Sequence, residues 1–275
     1  MDYSNTENEF YCFLKVGRTD EILNNFNNNQ ITFGCPANWL DYARKEKNPS
    51  VGDILESVYA CCPISEKELH INQEQREYTI IGNASADSCY LYKQSTILTP
   101  ALCFMSFKNE DEYKNKCFFN INEYIGRMQY LLEEASILII KDVKTFHNEL
   151  NEQVPTALSN SKNVIFKKPY DYTPVRMQHV DYDFYEKYPF FDISNNTNDE
   201  MFYKRKRYSY QSEVRIILNG TNYTQKYNTN DYDFKKNQLA VSLPNLKKYA
   251  RVVSATEING FIVNFKDDGL YLQQY

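Results

Sequence analysis

The polar side chains best suited to chemistry lie close together near residue 213. Gln211, Glu213 and Arg215 are spaced two residues apart, and because side chains alternate along a β-strand, we expect all three on one face. A carboxylate placed there could stabilise the positive charge that develops on a sugar carbon during glycosyl transfer, since the attraction grows toward the transition state. We therefore predict that Glu213 is a catalytic carboxylate assisted by Gln211, with Arg215 as its structural support.

The same spacing is also typical of a structural ion pair between Glu213 and Arg215. Charge pairs are common on half-exposed strands, where they contribute little to stability. The spacing alone therefore leaves two interpretations open, a catalytic site and a non-catalytic binding or sensor protein.

A basic run flanked by tyrosines precedes this segment. It contains Lys204 and Arg207 and is followed by Tyr208. Cations can follow a nucleic-acid backbone while aromatic rings stack on its bases, so these three residues are candidate contacts for a substrate or a nucleic acid. The alternative is a solvated loop, which the net charge of -5 and the pI of about 5.4 favour.

Two earlier segments could bind a nucleotide. Arg18 precedes Thr19-Asp20-Glu21, which is typical of a helix start, so we predict Arg18 at a strand end beside a helix N-terminus that suits a phosphate. The rings of Phe33, Trp39 and Tyr42 could stack on a flat ligand. Core packing and solvation are the alternative explanations for these four side chains.

The order of the predicted elements indicates the fold class. Strands and helices interleave without a regular repeat, and the eight glycines form no phosphate-binding loop. This favours an α+β fold, with a mixed, mostly antiparallel sheet and flanking helices, over residues 1–275 as a single domain. Strands are predicted over residues 10–16, 30–34, 78–81, 88–92, 102–107, 136–140, 179–182 and 209–218, and helices over 19–26, 123–134 and 143–150.

The seven cysteines and three histidines lack the spacing of a common metal site. Reduced thiols are typical of a cytoplasmic protein. The first residues lack the pattern of a secretory signal, and no apolar run is long enough to span a bilayer. The sequence therefore predicts a cytoplasmic protein with no metal and no membrane contact.

A second enzyme class is open as an alternative. Asp53 and Glu56 are three residues apart, so they would share a helical face and could bind a metal ion together with Glu213. With Lys204 or Arg207 on a phosphate, these residues would form a metal-dependent nuclease.

Two segments resemble a broad group of bacterial proteins of unknown function. One is Ile31-Thr-Phe-Gly-Cys-Pro-Ala-Asn-Trp39, and the other is Phe202-Tyr-Lys followed by Tyr208-Ser-Tyr-Gln-Ser-Glu213-Val-Arg215. Genes of that group often lie near mobile-element or phage-defence genes. The resemblance implies a toxin or phage-defence effector, with a cognate inhibitor or a defence-system partner.

More distantly, the chain resembles the ADP-ribosyltransferases, several of which place an Arg, His or Tyr on an early strand and a Gln-x-Glu or Glu-x-Glu on a late one. That resemblance implies an ADP-ribosyltransferase-like fold with NAD as a substrate and a nucleic acid or a protein as the acceptor. It also implies that Arg18 holds the phosphate or ribose side of NAD, that Gln211 helps to choose the acceptor, and that Glu213 binds the nicotinamide ribose. The Ser-Thr-Ser strand of those enzymes has no clear counterpart here, where Ser106 follows Phe104-Met105.

Overall fold

Strands outnumber helices in the part of the chain that the structure describes. The computed structural model covers residues 10–46, 55, 57, 58, 60–63, 78–80, 88–108, 135–166, 175–193, 198–225, 232–254, 261–266 and 269–274. The strands are β1 (Phe10–Arg18), β2 (Gln30–Phe33), β3 (Ala60–Pro63), β4 (Tyr78–Ile80), β5 (Ser88–Lys93), β6 (Ala101–Lys108), β7 (Ala135–Ile140), β8 (Val164–Phe166), β9 (Val175–His179), β10 (Phe191–Asp192), β11 (Glu213–Leu218), β12 (Thr221–Tyr223), β13 (Leu239–Ser242), β14 (Ala250–Ser254), β15 (Phe261–Lys266) and β16 (Gly269–Gln274).

Short helices separate many of these strands. The α-helices are α1 (Thr19–Asn27), α2 (Pro36–Glu46), α3 (Gln94–Ile97), α4 (Val143–Asn160), α5 (Phe184–Lys187) and α6 (Leu246–Tyr249), and the 3-10 helices are Asp199–Phe202, Lys206–Gln211 and Phe234–Lys236. The helix predicted over 123–134, and the residues Asp53 and Glu56, lie outside the described residues. None of the described helices combines the length and the apolar character needed to cross a bilayer.

The largest sheet has six strands in the order β14-β7-β1-β6-β11-β9. Every neighbouring pair in it is antiparallel. Smaller sheets have the orders β10-β3-β5-β4, β12-β8, β13-β2 and β15-β16. The predicted α+β fold with a mostly antiparallel sheet is thus confirmed, and the strands predicted over 78–81 and 88–92 pair with each other in antiparallel fashion as β4 and β5.

The longest helix, α4, covers one face of the large sheet. It begins after Asp142, whose carboxylate accepts a hydrogen bond from the Thr145 amide at 2.9 Å, as expected of an N-cap. Its buried residues recur at helical spacing; they are Val143, Phe146, Glu149, Leu150, Val154 and Leu158. The helix continues to Asn160, past the predicted end at residue 150, because Val154 and Leu158 extend the buried stripe despite Pro155.

The strand register separates two faces of the large sheet. Phe13, Phe104 and Phe146 pack on the face toward α4, with the ring centroids of Phe13 and Phe104 5.3 Å apart and those of Phe104 and Phe146 5.7 Å apart. Leu14 lies opposite Met105, and Met105 lies opposite Glu213. Since directly opposed residues share a face, Glu213 points away from the α4 core, and so does Arg215 two residues further along the strand.

Candidate functional site

Four buried side chains meet beside the start of β11, and we name them the Glu213 network. They are Lys204, Gln211, Glu213 and Arg215. Lys204 Nζ donates to Gln211 Oε1 at 2.6 Å and to Glu213 Oε2 at 2.8 Å. Arg215 Nε donates to Glu213 Oε1 at 2.5 Å. The network therefore joins the predicted catalytic pair to one of the predicted substrate contacts.

The route by which Gln211 reaches this network differs from the prediction. The predicted strand over 209–218 begins only at Glu213, and Gln211 closes the 3-10 helix Lys206–Gln211. Between them, Ser212 has a left-handed backbone with a φ of 40°, and its hydroxyl donates to the Ser106 carbonyl at 3.1 Å. This bend breaks the alternation, so Gln211 contacts the network through Lys204 and not from the strand.

β11 is also more enclosed than a half-exposed strand. It lies between β6 and β9, and all six of its residues are buried. Glu213 is 5 % exposed and Arg215 is 0 % exposed. The exposed-strand setting in which a charge pair contributes little does not apply here, because removing one partner of a buried pair leaves the other charge uncompensated.

The two cations keep Glu213 ionised. Burial would raise the pKa of Glu213, but the charges of Arg215 and Lys204 and their hydrogen bonds outweigh it and hold the pKa well below its usual range. Arg215 Nη1 also donates to the Met201 carbonyl. The site thus holds a carboxylate in a defined position, bordered by cations on both oxygens.

Trp39 joins this site from α2. The Arg215 guanidinium lies 5.3 Å from the centre of the Trp39 ring, which is a cation–π distance. Trp39 is partly buried against a small apolar cluster formed by Ala101, Met201, Phe202 and Ile217. Its ring is therefore packed and, at the same time, in contact with the Glu213 network.

Tyr182 is a contact of Glu213 that the sequence did not indicate. The Glu213 amide donates to Tyr182 Oη at 2.8 Å, across 31 residues of sequence. Burial, and after it the charge of Glu213, raise the pKa of Tyr182, so its phenol keeps its proton at neutral pH. No motif includes Tyr182, and only the end of β9 and the turn after it bring it here.

Two of the three predicted nucleic-acid contacts are buried. Lys204 is 3 % exposed and Tyr208 is 2 % exposed, so neither offers a free surface to a nucleic acid. Arg207 is exposed. Three cations surround the Tyr208 ring, at 5.1 Å for Lys204 Nζ, 5.7 Å for the Arg205 guanidinium and 4.8 Å for that of Arg207.

Arg18 lies where the sequence predicted, at the end of β1 and directly before α1. Its side chain is 60 % exposed and pairs with Asp20 at 3.2 Å. Regular pairing of β1 with β7 keeps Arg18 on the face of Leu14, and therefore on the face of Glu213. Standard strand spacings put their Cα atoms about 16 Å apart.

The other predicted ring contacts are not brought to Glu213. Phe33 is 0 % exposed in the main core, and its carbonyl accepts from Tyr223 Oη at 2.9 Å, so packing accounts for it. Tyr42 lies in α2, and its side chain is outside the described part.

The acidic groups in the described part do not favour the nuclease interpretation. Those residues contain no group of three or more His, Cys, Asp or Glu side chains that could hold a metal ion. Both oxygens of Glu213 already accept hydrogen bonds from cations, and the positive charges of these cations repel a metal ion. The nuclease stays an alternative that depends on Asp53 and Glu56.

The structure therefore brings the predicted ring contact Trp39 against the Glu213 network, and it leaves Arg18 at a distance on the same sheet face. Comparison of the chain with protein-family models, with curated proteins and with solved structures gives no match.

Proposed function

We propose that the protein transfers ADP-ribose from NAD, with Glu213 as the catalytic carboxylate, and acts as a toxin or phage-defence effector on a nucleic acid or a protein. The observation that carries the proposal is the ionised Glu213, held by Arg215 at 2.5 Å and by Lys204 at 2.8 Å. A fixed anion beside a sugar carbon favours the transition state more than the ground state, because the positive charge grows as the bond breaks.

The side chain of Glu213 has capacity for a ligand. A carboxylate can accept about four hydrogen bonds, and in the described structure Glu213 accepts from Lys204 and Arg215. A ribose hydroxyl could therefore donate to Glu213 without breaking either ion pair. Arg18 supports the proposal from the same face of the sheet, and at about 16 Å a ligand that contacts both must be extended, as a dinucleotide is.

When bound, NAD supplies the ADP-ribosyl group and a nicotinamide that leaves with the bonding electron pair. The acceptor atom forms the new bond to the sugar and releases its proton to solvent. In this reaction Glu213 stabilises positive charge, Arg215 and Lys204 keep it ionised, and Gln211 holds the Lys204 ammonium in place.

Access to Glu213 requires a local opening, since it is 5 % exposed. The 3-10 helix Lys206–Gln211 is the element whose movement would provide it. That helix ends beside the left-handed Ser212 and is tied to the site by the hydrogen bond from Lys204 to Gln211. Closure of such a segment over a ligand excludes water from the reaction.

The burial itself favours a second candidate, a non-catalytic binding or sensor protein. Lys204, Glu213 and Arg215 are all 5 % exposed or less, which is also what a structural lock between a loop and a strand would need. In that case the network stabilises the fold and takes no part in any reaction.

The experiment is transfer of label from NAD to cellular protein, DNA and RNA fractions by the full chain. Glu213→Gln is the first variant and removes the charge. Glu213→Asp is the second; it keeps the charge and is therefore expected to stay folded, but its shorter side chain moves the carboxylate away from the sugar. Both are checked for folding by circular dichroism. The proposal predicts labelling by the wild type and loss in both variants. No labelling, or full labelling by folded Glu213→Asp, contradicts it.

A further inference from the structure

Four consecutive cations, Lys204 to Arg207, occur in a stretch that has no acidic residue between Met201 and Ser212. Carboxylates from elsewhere compensate the two lysines. Lys204 pairs with Glu213 at 2.8 Å, and Lys206 Nζ lies 3.4 Å from Asp183 and 3.5 Å from Glu186. The lysines are thus committed to internal ion pairs.

Arg207 differs from both lysines. Its side chain is exposed, and no carboxylate in the described part of the chain forms an ion pair with it. Its Nη2 donates to Tyr208 Oη at 2.8 Å, and its guanidinium lies 4.8 Å from the centre of the Tyr208 ring. Tyr208 is 2 % exposed, so a buried ring holds an exposed guanidinium in one orientation.

A guanidinium fixed in this way is suited to a phosphate. It has five N–H donors in a rigid fork that matches phosphate oxygens, and one nitrogen of Arg207 is used on Tyr208. The guanidinium of Arg205 and the ammonium of Lys204 face the same ring at 5.7 Å and 5.1 Å. Both side chains therefore lie beside the ring that contacts Arg207, and Lys204 also pairs with Glu213.

We propose that Arg207, supported by Arg205 around the Tyr208 ring, is a phosphate-binding site next to the Glu213 network. Lys204 belongs to both, since it contacts the Tyr208 ring and Glu213. The identity of the ligand rests on the proposed function, because the phosphate is then the diphosphate of NAD or the backbone of a nucleic-acid acceptor. The whole chain has a net charge of -5, so binding depends on this local site and not on overall charge.

The test is titration calorimetry on the full chain with three probes, namely inorganic pyrophosphate, NAD and a short single-stranded DNA. Arg207→Ala removes the fork, and Arg207→Lys keeps the charge without it. Lys235→Ala is the matched control, because Lys235 is an exposed cation in another 3-10 helix. Melting temperatures confirm that the variants are folded.

Wild type and Lys235→Ala are expected to bind pyrophosphate equally. Arg207→Ala is expected to bind roughly tenfold more weakly, the effect of losing one charge-assisted contact, with Arg207→Lys between them. If NAD binds and DNA does not, the site is assigned to the diphosphate of NAD. If DNA binds and NAD does not, the site is assigned to the nucleic-acid acceptor. The proposal is overturned when no probe binds, or when Arg207→Ala binds as Lys235→Ala does.

The two proposals can fail separately. If pyrophosphate binding depends on Arg207 but no ADP-ribose is transferred from NAD, the phosphate-site proposal stands and the transferase proposal is contradicted. If transfer from NAD depends on Glu213 but Arg207→Ala binds every probe as wild type does, the transferase proposal stands and the phosphate-site proposal is contradicted.

Discussion

Lys204 and Glu213 form a buried ion pair, with 2.8 Å between Nζ and Oε2, that ties the loop before β11 to the strand itself. The same ammonium donates to Gln211 at 2.6 Å, so one cation organises the start of the strand. Buried pairs of this kind are costly to desolvate, and they hold only while every member has its partner.

Replacing Glu213 by Gln is expected to lower the free energy of unfolding by about 3–5 kcal/mol, because Lys204 and Arg215 then stay buried without their carboxylate. Gln211→Ala removes one acceptor of Lys204 and is expected to cost less, about 1.5–3 kcal/mol. Urea unfolding of both variants measures the difference. Equal stability of Glu213→Gln and wild type would show that the ion pairs contribute nothing net.

The contribution of Glu213 should depend on pH. Its pKa is lowered in the folded protein from an ordinary value of 4.5, so the unfolded chain takes up a proton at a higher pH than the folded one does. The stabilisation is therefore complete above about pH 4.5 and is lost as the pH falls below it. The gap in stability between wild type and Glu213→Gln should narrow in acid, and a gap that stays constant contradicts the account.

Glu200 should behave in the opposite way. It is 0 % exposed, its Oε1 accepts from Thr96 Oγ1 at 2.6 Å, and its Oε2 has no hydrogen-bond partner among the described residues. Burial raises its pKa, with the charge of Lys93 acting against this and that of Asp199 adding to it. The folded state keeps a proton that the unfolded chain releases, so stability falls as the pH rises above about 4.5.

Glu200→Gln is therefore expected to be at least as stable as wild type at neutral pH, with an advantage that grows from acid to neutral pH. Melting temperatures across that range measure it. Glu149→Gln is the control, because Glu149 is also buried but accepts from the Asn245 amide at 2.8 Å and from Tyr249 Oη at 2.6 Å. That variant should be less stable, and the same loss in Glu200→Gln would refute the interpretation.

The contact between Trp39 and Arg215 should be measurable. At 5.3 Å from the ring centre, a desolvated guanidinium is stabilised by about 0.5–2 kcal/mol. In unfolding experiments, Trp39→Leu is expected to lose this stabilisation, whereas Trp39→Phe is expected to retain part of it because an aromatic ring remains. If Trp39→Leu and Trp39→Phe are equally stable, the ring has no specific role beside Arg215.

Much of the fold could be predicted from the sequence, because regular periodicity reports regular structure. The strand predicted over 136–140 formed as β7 (Ala135–Ile140), which is buried on both faces, and the helix predicted from Thr19 formed as α1. In the same way, the period of two placed Glu213 and Arg215 correctly on one face. What spacing could not show was how the flanking backbone bends.

The errors lie where tertiary contacts decide the geometry. Ser212 adopts a left-handed conformation although it is neither Gly nor Asn, because hydrogen bonds with Ser106 hold it there. As a result, the strand begins after Gln211 and does not include it. Lys204 is buried although it lies in a basic run, because Glu213 compensates its charge. Tyr182 has no local signal, since its contact with Glu213 is made only in the folded chain.

The most direct test is the rate at which the full chain releases nicotinamide from NAD, expressed per folded molecule and compared between wild type and Glu213→Asp. Gln211→Ala accompanies them as a variant that keeps the carboxylate in place. The account predicts release by wild type, a fall of at least tenfold in Glu213→Asp, and a smaller fall in Gln211→Ala. Absence of release by folded wild type in the presence of acceptors, or an unchanged rate in Glu213→Asp, would contradict it.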